Sequence, residues 1–199
     1  MVVNTDVIKS MRKYADENNV PIMSDEGISY LTSFCIKNKI RSVLEIGTAI
    51  GYSTILMALT DEKMMVTSIE RDEKRYLEAI KNVKKAKLED KIELIYNDAL
   101  DVRIEGQFDL IFIDAAKAQN IKFFEKFKRN LRPGGAIITD NMQFHGLVEK
   151  DEKEIESRNL RQLVRKIKEY KDYLDNNKEF DTVYKDIGDG LAISINKRS

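Results

Sequence analysis

Two apolar runs in this chain end in side chains that could do chemistry. In "FDLIFIDAAK" Asp114 closes a β-branched and aromatic run and Lys117 follows three residues on; in "PGGAIITDN" Asp140 and Asn141 close the next run. If the runs are neighbouring strands, about 4.8 Å apart, the three oxygen-bearing side chains can converge on one point. Oxygen donors with no His or Cys beside them suit Mg2+, with Mn2+ as the alternative, and water or substrate oxygens would complete an octahedron. A hydroxyl bound to such a dication becomes more acidic, and a positioned lysine can take its proton. The plainer reading makes Asp114, Asp140 and Asn141 turn formers after strands and Lys117 a surface lysine. It leaves unexplained why carboxylates gather at the edge where open α/β sheets bind ligands.

A second constellation lies in "SVLEIGTAIGYSTILMA". An apolar run ends at Glu45 and Ile46, a turn carries Gly47 and Gly51, and a helix starts near Tyr52 or Ser53, where unpaired amides can hold an anion. Glu70 ends the next run about twenty residues past the corner, a place suited to accepting bonds from ribose hydroxyls. A nicotinamide dinucleotide would call for G-x-G-x-x-G, whereas the corner reads E-x-G-x-x-x-G. A ligand with a ribose, a carboxylate for the helix amides and an ammonium for Glu45 fits better, and S-adenosylmethionine has all three. A small-residue corner that only packs a helix tightly on a strand is the structural alternative.

These residues need a scaffold. Strand-like runs are predicted at 42–46, 65–69, 92–96, 108–113, 136–139, 182–186 and 191–195, and segments such as "DEKRYLEAIKNVKKAKL" between them carry helical apolar spacing. Alternation of this kind predicts an α/β fold, a mostly parallel seven-stranded sheet with helices on both faces. The last two runs are separated by "IGDG", which predicts a C-terminal antiparallel hairpin. Two helices precede the first strand, one over about 6–18 and one capped by Ser24.

With 199 residues, 42% hydrophobic content and two prolines, a single domain over 1–199 is expected, residues 1–40 covering the cofactor and substrate side. Lys plus Arg and Asp plus Glu are both 34, so net charge selects no partner. No run approaches the ~20 apolar residues of a membrane span, no signal peptide is evident, and a lone cysteine, Cys35, fits a reducing compartment; no membrane partner and a cytoplasmic location are the expectation.

In order, "LEIGTAIGYS", "SIERDEKRY", "NDAL", "FIDAAK" and "TDN" resemble the motifs of the metal-dependent class I S-adenosylmethionine O-methyltransferases, the catechol and caffeoyl-coenzyme A type, from about Pro21 to the end. The resemblance implies a Rossmann-like class I methyltransferase fold. It implies that Gly47 and Ser53 line the methionine end of the cofactor, Glu70 holds the ribose, Asp98 and Ala99 meet the adenine side, and Met23 touches the cofactor through its backbone. It implies also that Asp114, counted with the cofactor-binding residues as well, joins Asp140 and Asn141 in holding Mg2+, with Lys117 as base. Asn97 stands where the family often has glycine.

Within the family the chain looks most like the bacterial tRNA 5-hydroxyuridine methyltransferases, which form 5-methoxyuridine at the wobble position. That likeness implies tRNA, at its anticodon region, as substrate and partner; a homodimer is the expected assembly. In "RNLRQLVRKIKEY" Arg158, Arg161, Arg165 and Lys168 recur along one helical flank that could track phosphates, and Phe144 and His145 could stack on a base. Acidic neighbours such as Glu154, Glu156 and Glu169 favour a merely solvated face instead. A small-molecule catechol-type methyltransferase shares every catalytic residue and is the alternative, since two adjacent oxygens are what a dication binds bidentately. A non-catalytic RNA-binding module would have no use for Asp114, Lys117, Asp140 and Asn141.

Overall fold

The computed structural model describes residues 5–144 and 146–198. The chain divides into two compact units, Met1–Arg103 and Ile104–Ser199.

The first unit begins with helices α1 (Thr5–Asn18) and α2 (Asp25–Lys37). Ser24 caps α2, its hydroxyl accepting from the Gly27 amide at 3.2 Å, and Asp25 and Glu26 lie in the first turn, where the helix dipole favours them. Strand β1 (Ser42–Ile46), helix α3 (Tyr52–Ala58), strand β2 (Met65–Glu70), helix α4 (Glu73–Ala86) and strand β3 (Ile92–Tyr96) follow. β1 and β2 run parallel, as do β2 and β3, with Glu45 opposite Ser68 and Glu70 opposite Tyr96. Val43, Leu44, Ile46, Leu31 and Cys35 are buried in the core; desolvation pushes the Cys35 thiol up to about 12, which leaves it an inert apolar filler.

The second unit holds β4 (Phe108–Ile113), α5 (Asn120–Phe127), β5 (Leu131–Thr139), α6 (Arg158–Asp175), β6 (Phe180–Lys185) and β7 (Leu191–Asn196). β4 and β5 are parallel; β7 pairs antiparallel with both β5 and β6, which is the hairpin that "IGDG" predicts. β5 starts at Leu131, five residues before the predicted 136. Its opening "LRPGG" is poor strand material, and it bulges: Leu131 pairs with Phe108, but the next rung sets Leu110 opposite Ala136, and Gly134 between them has φ 70°. Gly135 is needed there: a Cβ would sit 2.9 Å from the Asp109 carbonyl oxygen. The strand order is β3-β2-β1-β4-β5-β7-β6 in one seven-stranded sheet. Among the described residues no helix is long and apolar enough to cross a membrane.

Candidate active site

In the first unit the small-residue corner turns on three left-handed residues, Gly47 (φ 102°), Ala49 (φ 47°) and Gly51 (φ 85°). The amides of Gly47 and Thr48 both donate to the Ile69 carbonyl, at 3.0 and 3.2 Å, so the turn stays pinned to the end of β2. A Cβ on Gly51 would lie 3.5 Å from that of Ala79, and Asn82 donates to the Ile50 carbonyl at 2.9 Å. Small residues here let α4 approach the turn closely.

Glu45 is wholly buried, at 0% exposure. Its carboxylate accepts from Ser53 Oγ and Ser68 Oγ, both at 2.5 Å, and from Thr54 Oγ1. Ser68 spends its proton on Glu45, so Thr48 is the donor in the 2.6 Å contact between the Thr48 and Ser68 hydroxyls. The carboxylate thereby ties β1, β2 and the start of α3 together, and Ser53, an expected cofactor residue, is aimed by it. Glu70 is also buried; one oxygen accepts from the Ala49 amide at 2.7 Å, the other from the amides of Arg71 and Asp72 at 2.9 and 2.8 Å. Each carboxylate oxygen has two acceptor positions, so one position on the Ala49-bonded oxygen can take a further donor.

Asp98 and the buried Ala99 follow β3. Asp98 accepts from the Leu100 amide at 2.8 Å and from the Arg71 guanidinium at 3.3 Å, and the Asn97 amide donates to the Glu70 carbonyl at 3.0 Å. Met23 is buried directly before the Ser24 cap. From α1, Arg12 pairs with Asp25 at 2.5 Å and lies 5.5 Å over the Tyr52 ring, so the N-terminal helices are joined to the head of α3.

In the second unit Asp114 and Asp140 follow β4 and β5, whose last paired residues are Ile113 and Thr139, and the Asp140 amide donates to the Ile113 carbonyl at 3.1 Å. Lys117 Nζ lies 2.9 Å from Asp114 Oδ1, both largely shielded, at 16% and 24% side-chain exposure. Burial first, then the Asp114 charge, pushes the Asp140 carboxyl up to about 7, although the Asn141 amide donates to it at 2.7 Å and Lys117 opposes the shift. Asn141 takes a left-handed backbone (φ 62°), and its side-chain amide donates to Asp189 Oδ2 at 3.1 Å. Asp189 escaped sequence reasoning because its place between two glycines reads simply as a hairpin turn.

Two mutually repelling carboxylates, with Asn141 next in the chain to one of them and a lysine in reach of the other, form a donor set that a hard dication would neutralise. Among the described residues, no group of three or more His, Cys, Asp or Glu side chains is arranged to hold a metal ion, so any cation here would rest on two carboxylates, the Asn141 amide and non-protein oxygens. On α6, Arg161 is committed to the protein: Nη1 donates to the carbonyls of Ile155, at 2.5 Å, and Glu156, at 3.1 Å, and closes the loop before the helix. Arg158, Arg165 and Lys168 lie on the same helix. Phe144 has a left-handed backbone, and His145 lies outside the described residues.

Fold and site define a class I, Rossmann-like methyltransferase, with helices around a seven-stranded mixed sheet. The sequence model of the family described as O-methyltransferase matches residues 2–197, and the chain belongs to that family of S-adenosylmethionine-dependent enzymes. A caffeoyl-CoA O-methyltransferase of Stellaria longipes is 28% identical over 93% of this chain and 81% of its own length. A catechol O-methyltransferase of Niastella koreensis is 32% identical over 79% of this chain and 74% of its own. Among solved structures, a Staphylococcus aureus protein is 38% identical with a TM-score of 0.90, covering 95% of this chain and 91% of its own. A Bacillus cereus O-methyltransferase in complex with S-adenosylhomocysteine is 25% identical with a TM-score of 0.83, covering 99% and 93%.

Proposed function

We propose that the chain transfers the methyl group of S-adenosylmethionine to one hydroxyl of a small substrate with two adjacent oxygens, of the catechol type. The observation that carries this reading is the group at the ends of β4 and β5: Lys117 paired with Asp114 at 2.9 Å, beside a buried Asp140 whose charge its one amide donor and Lys117 relieve only in part. Asp114, Asp140 and Asn141 would hold Mg2+. When bound, the ion would make a coordinated hydroxyl more acidic and favour a bidentate substrate.

The chain's own residues supply the rest. Glu70 orients the ribose, Asp98 and Ala99 bound the adenine side, Met23 contributes its backbone, and Gly47 and Ser53 receive the methionine end, with Glu45 acting through Ser53. Lys117, once its own ammonium proton has passed to solvent, takes the hydroxyl proton at Nζ, and the neighbouring Asp114 carboxylate, 2.9 Å away, stabilises the ammonium that is restored. The oxygen then attacks in line: its bond to the methyl carbon forms as the carbon–sulfur bond breaks, leaving a methyl ether and S-adenosylhomocysteine.

Small phenols fit better than wobble uridine. The relatives carry the names catechol and caffeoyl-CoA O-methyltransferase, and Arg161, from the flank suggested for RNA, is occupied by backbone carbonyls. Incubating the protein with S-adenosylmethionine, Mg2+ and either 3,4-dihydroxybenzoate or tRNA bearing 5-hydroxyuridine, followed by mass spectrometry, tests the reading. A methylated catechol supports it; methylation of the tRNA with no turnover of catechols overturns it.

A further inference from the structure

We propose that Asp189 is a positioning residue for the Mg2+ centre: it accepts from Asn141 Nδ2 and so turns the amide to present its oxygen, not its nitrogen, to the cation. The inference rests on the proposed metal site at Asp114, Asp140 and Asn141. An asparagine amide offers two donors on one side and an acceptor on the other, and rotation by half a turn exchanges them. Only the oxygen can ligate a hard cation. A carboxylate is an acceptor-only partner, so the 3.1 Å contact between Asn141 and Asp189 Oδ2 has one consistent assignment, with nitrogen toward Asp189. The Asn141 oxygen is thereby directed away from Asp189.

The hairpin turn that carries Asp189 is held in register with the metal loop by bonds independent of its side chain. The Met142 amide donates to the Gly190 carbonyl and the Gln143 amide to the Asp189 carbonyl, both at 2.9 Å, and Gln143 Nε2 reaches Asp186 at 2.8 Å. Gly190 permits this approach, since a Cβ there would lie 2.8 Å from Gln143 Cγ and 2.9 Å from its backbone nitrogen. Asn141 itself sits in the left-handed region, which Asn tolerates better than most residues. The β6–β7 hairpin therefore sets the orientation of a ligand 48 residues earlier in the chain. Outer partners of this kind orient metal ligands and commonly govern affinity.

The test is calorimetric titration of the full chain with Mg2+, repeated with Mn2+ by electron paramagnetic resonance, with no methyl donor or acceptor present. Asp189→Ala should weaken metal binding by about 10- to 100-fold. Asp189→Asn keeps a carbonyl oxygen for Asn141 Nδ2 but loses the charge, and should bind within a few fold of the wild type. If Asp189 acted only by adding negative charge near Asp140, the Asn variant would lose as much affinity as the Ala variant, and the proposal would fall. It would fall as well if Asp189→Ala bound metal like the wild type while Asp140→Ala did not. Wild-type protein with no saturable binding, or with binding indifferent to Asp140→Ala, would overturn the metal site and this inference together. Should Asp189→Ala fail to fold, the exchanged pair Asn141→Asp with Asp189→Asn replaces it. That pair keeps the net charge and reverses the hydrogen bond, and should bind metal more tightly than Asn141→Asp alone, which sets two carboxylates against each other; equal affinities would refute the pairing.

Discussion

Asp140→Asn should stabilise the metal-free protein, and increasingly so as the pH rises. Burial, then the nearby Asp114 charge, moves the Asp140 carboxyl from an ordinary 3.8 to about 7. The folded state therefore keeps a proton that the unfolded state has released, so between these values raising the pH favours unfolding. At about 1.4 kcal/mol for each tenfold change in proton affinity, the whole penalty is about 4 kcal/mol, complete above pH 7 and absent well below pH 4. Roughly a third to a half of it is already spent at pH 5, so the variant's advantage should grow by roughly 2 to 3 kcal/mol between pH 5 and pH 8. Asn is nearly isosteric and still accepts from the Asn141 amide, which donates to Asp140 at 2.7 Å, so little else should change.

Urea unfolding of both proteins in chelator across that range is the assay. For a chain of this size the growing advantage also corresponds to about 2 to 4 °C in melting temperature per kcal/mol. A stability difference that stays flat from pH 5 to pH 8, or a variant less stable at pH 8, would refute the buried-carboxylate account. Adding Mg2+ should reverse the order at pH 8, since only the wild type keeps both acidic ligands.

Three further outcomes follow from the geometry. Glu70→Ala should weaken S-adenosylmethionine binding by about 1 to 3 kcal/mol through loss of a charge-assisted acceptor, and calorimetry showing unchanged affinity would remove Glu70 from the site. Gly51→Ala should cost about 1 to 2 kcal/mol in denaturant unfolding, because an L-residue is forced to φ 85° with its Cβ against Ala79; an unchanged midpoint would show that the turn relaxes freely. Arg161→Gln should lower stability by about 1 kcal/mol through loss of the bonds to the Ile155 and Glu156 carbonyls. It should leave the salt dependence of tRNA binding unchanged, and a flattened salt dependence would return the helix flank to a phosphate-binding role.

How much of this was legible in the sequence depended on how far apart the partners lie. β1, β3 and β4 coincide with their predicted runs because apolar β-branched residues between charged helices have few other uses. The start of β5 was hidden by Pro133, Gly134 and Gly135, whose local preferences oppose a strand; they lie in the bulge between the Leu131–Phe108 rung and the Ala136–Leu110 rung. Asp114, Lys117, Asp140 and Asn141 were readable as candidates because the ends of neighbouring parallel strands bring them close without any long loop. Asp189 was not, since its link to Asn141 depends on how an antiparallel hairpin registers against β5. The hydroxyls around Glu45 were hidden for a related reason: Ser68 reaches it only through the rung that sets Glu45 opposite Ser68. The arginine spacing on α6 was visible, but the carbonyls that occupy Arg161 precede the helix in a loop whose path no periodicity reveals.

The acidic residues of the two units are buried on opposite terms, and the difference bears on what each unit does. Glu45 and Glu70 are met by protein donors, the first by three hydroxyls and the second by three backbone amides. A carboxylate so satisfied holds its geometry before any ligand arrives, and what it offers is orientation with little reorganisation. Asp140 has one amide donor and lies near two other carboxylates, Asp114 and Asp189, with Lys117 the counterweight. That shortage destabilises the fold, and it is also what would favour a dication, because a site already neutralised by its own donors gains little from binding one. Supplying Asp140 with further donors would therefore raise stability and lower Mg2+ affinity together. A variant that gained both would show that the buried charge is unrelated to metal binding.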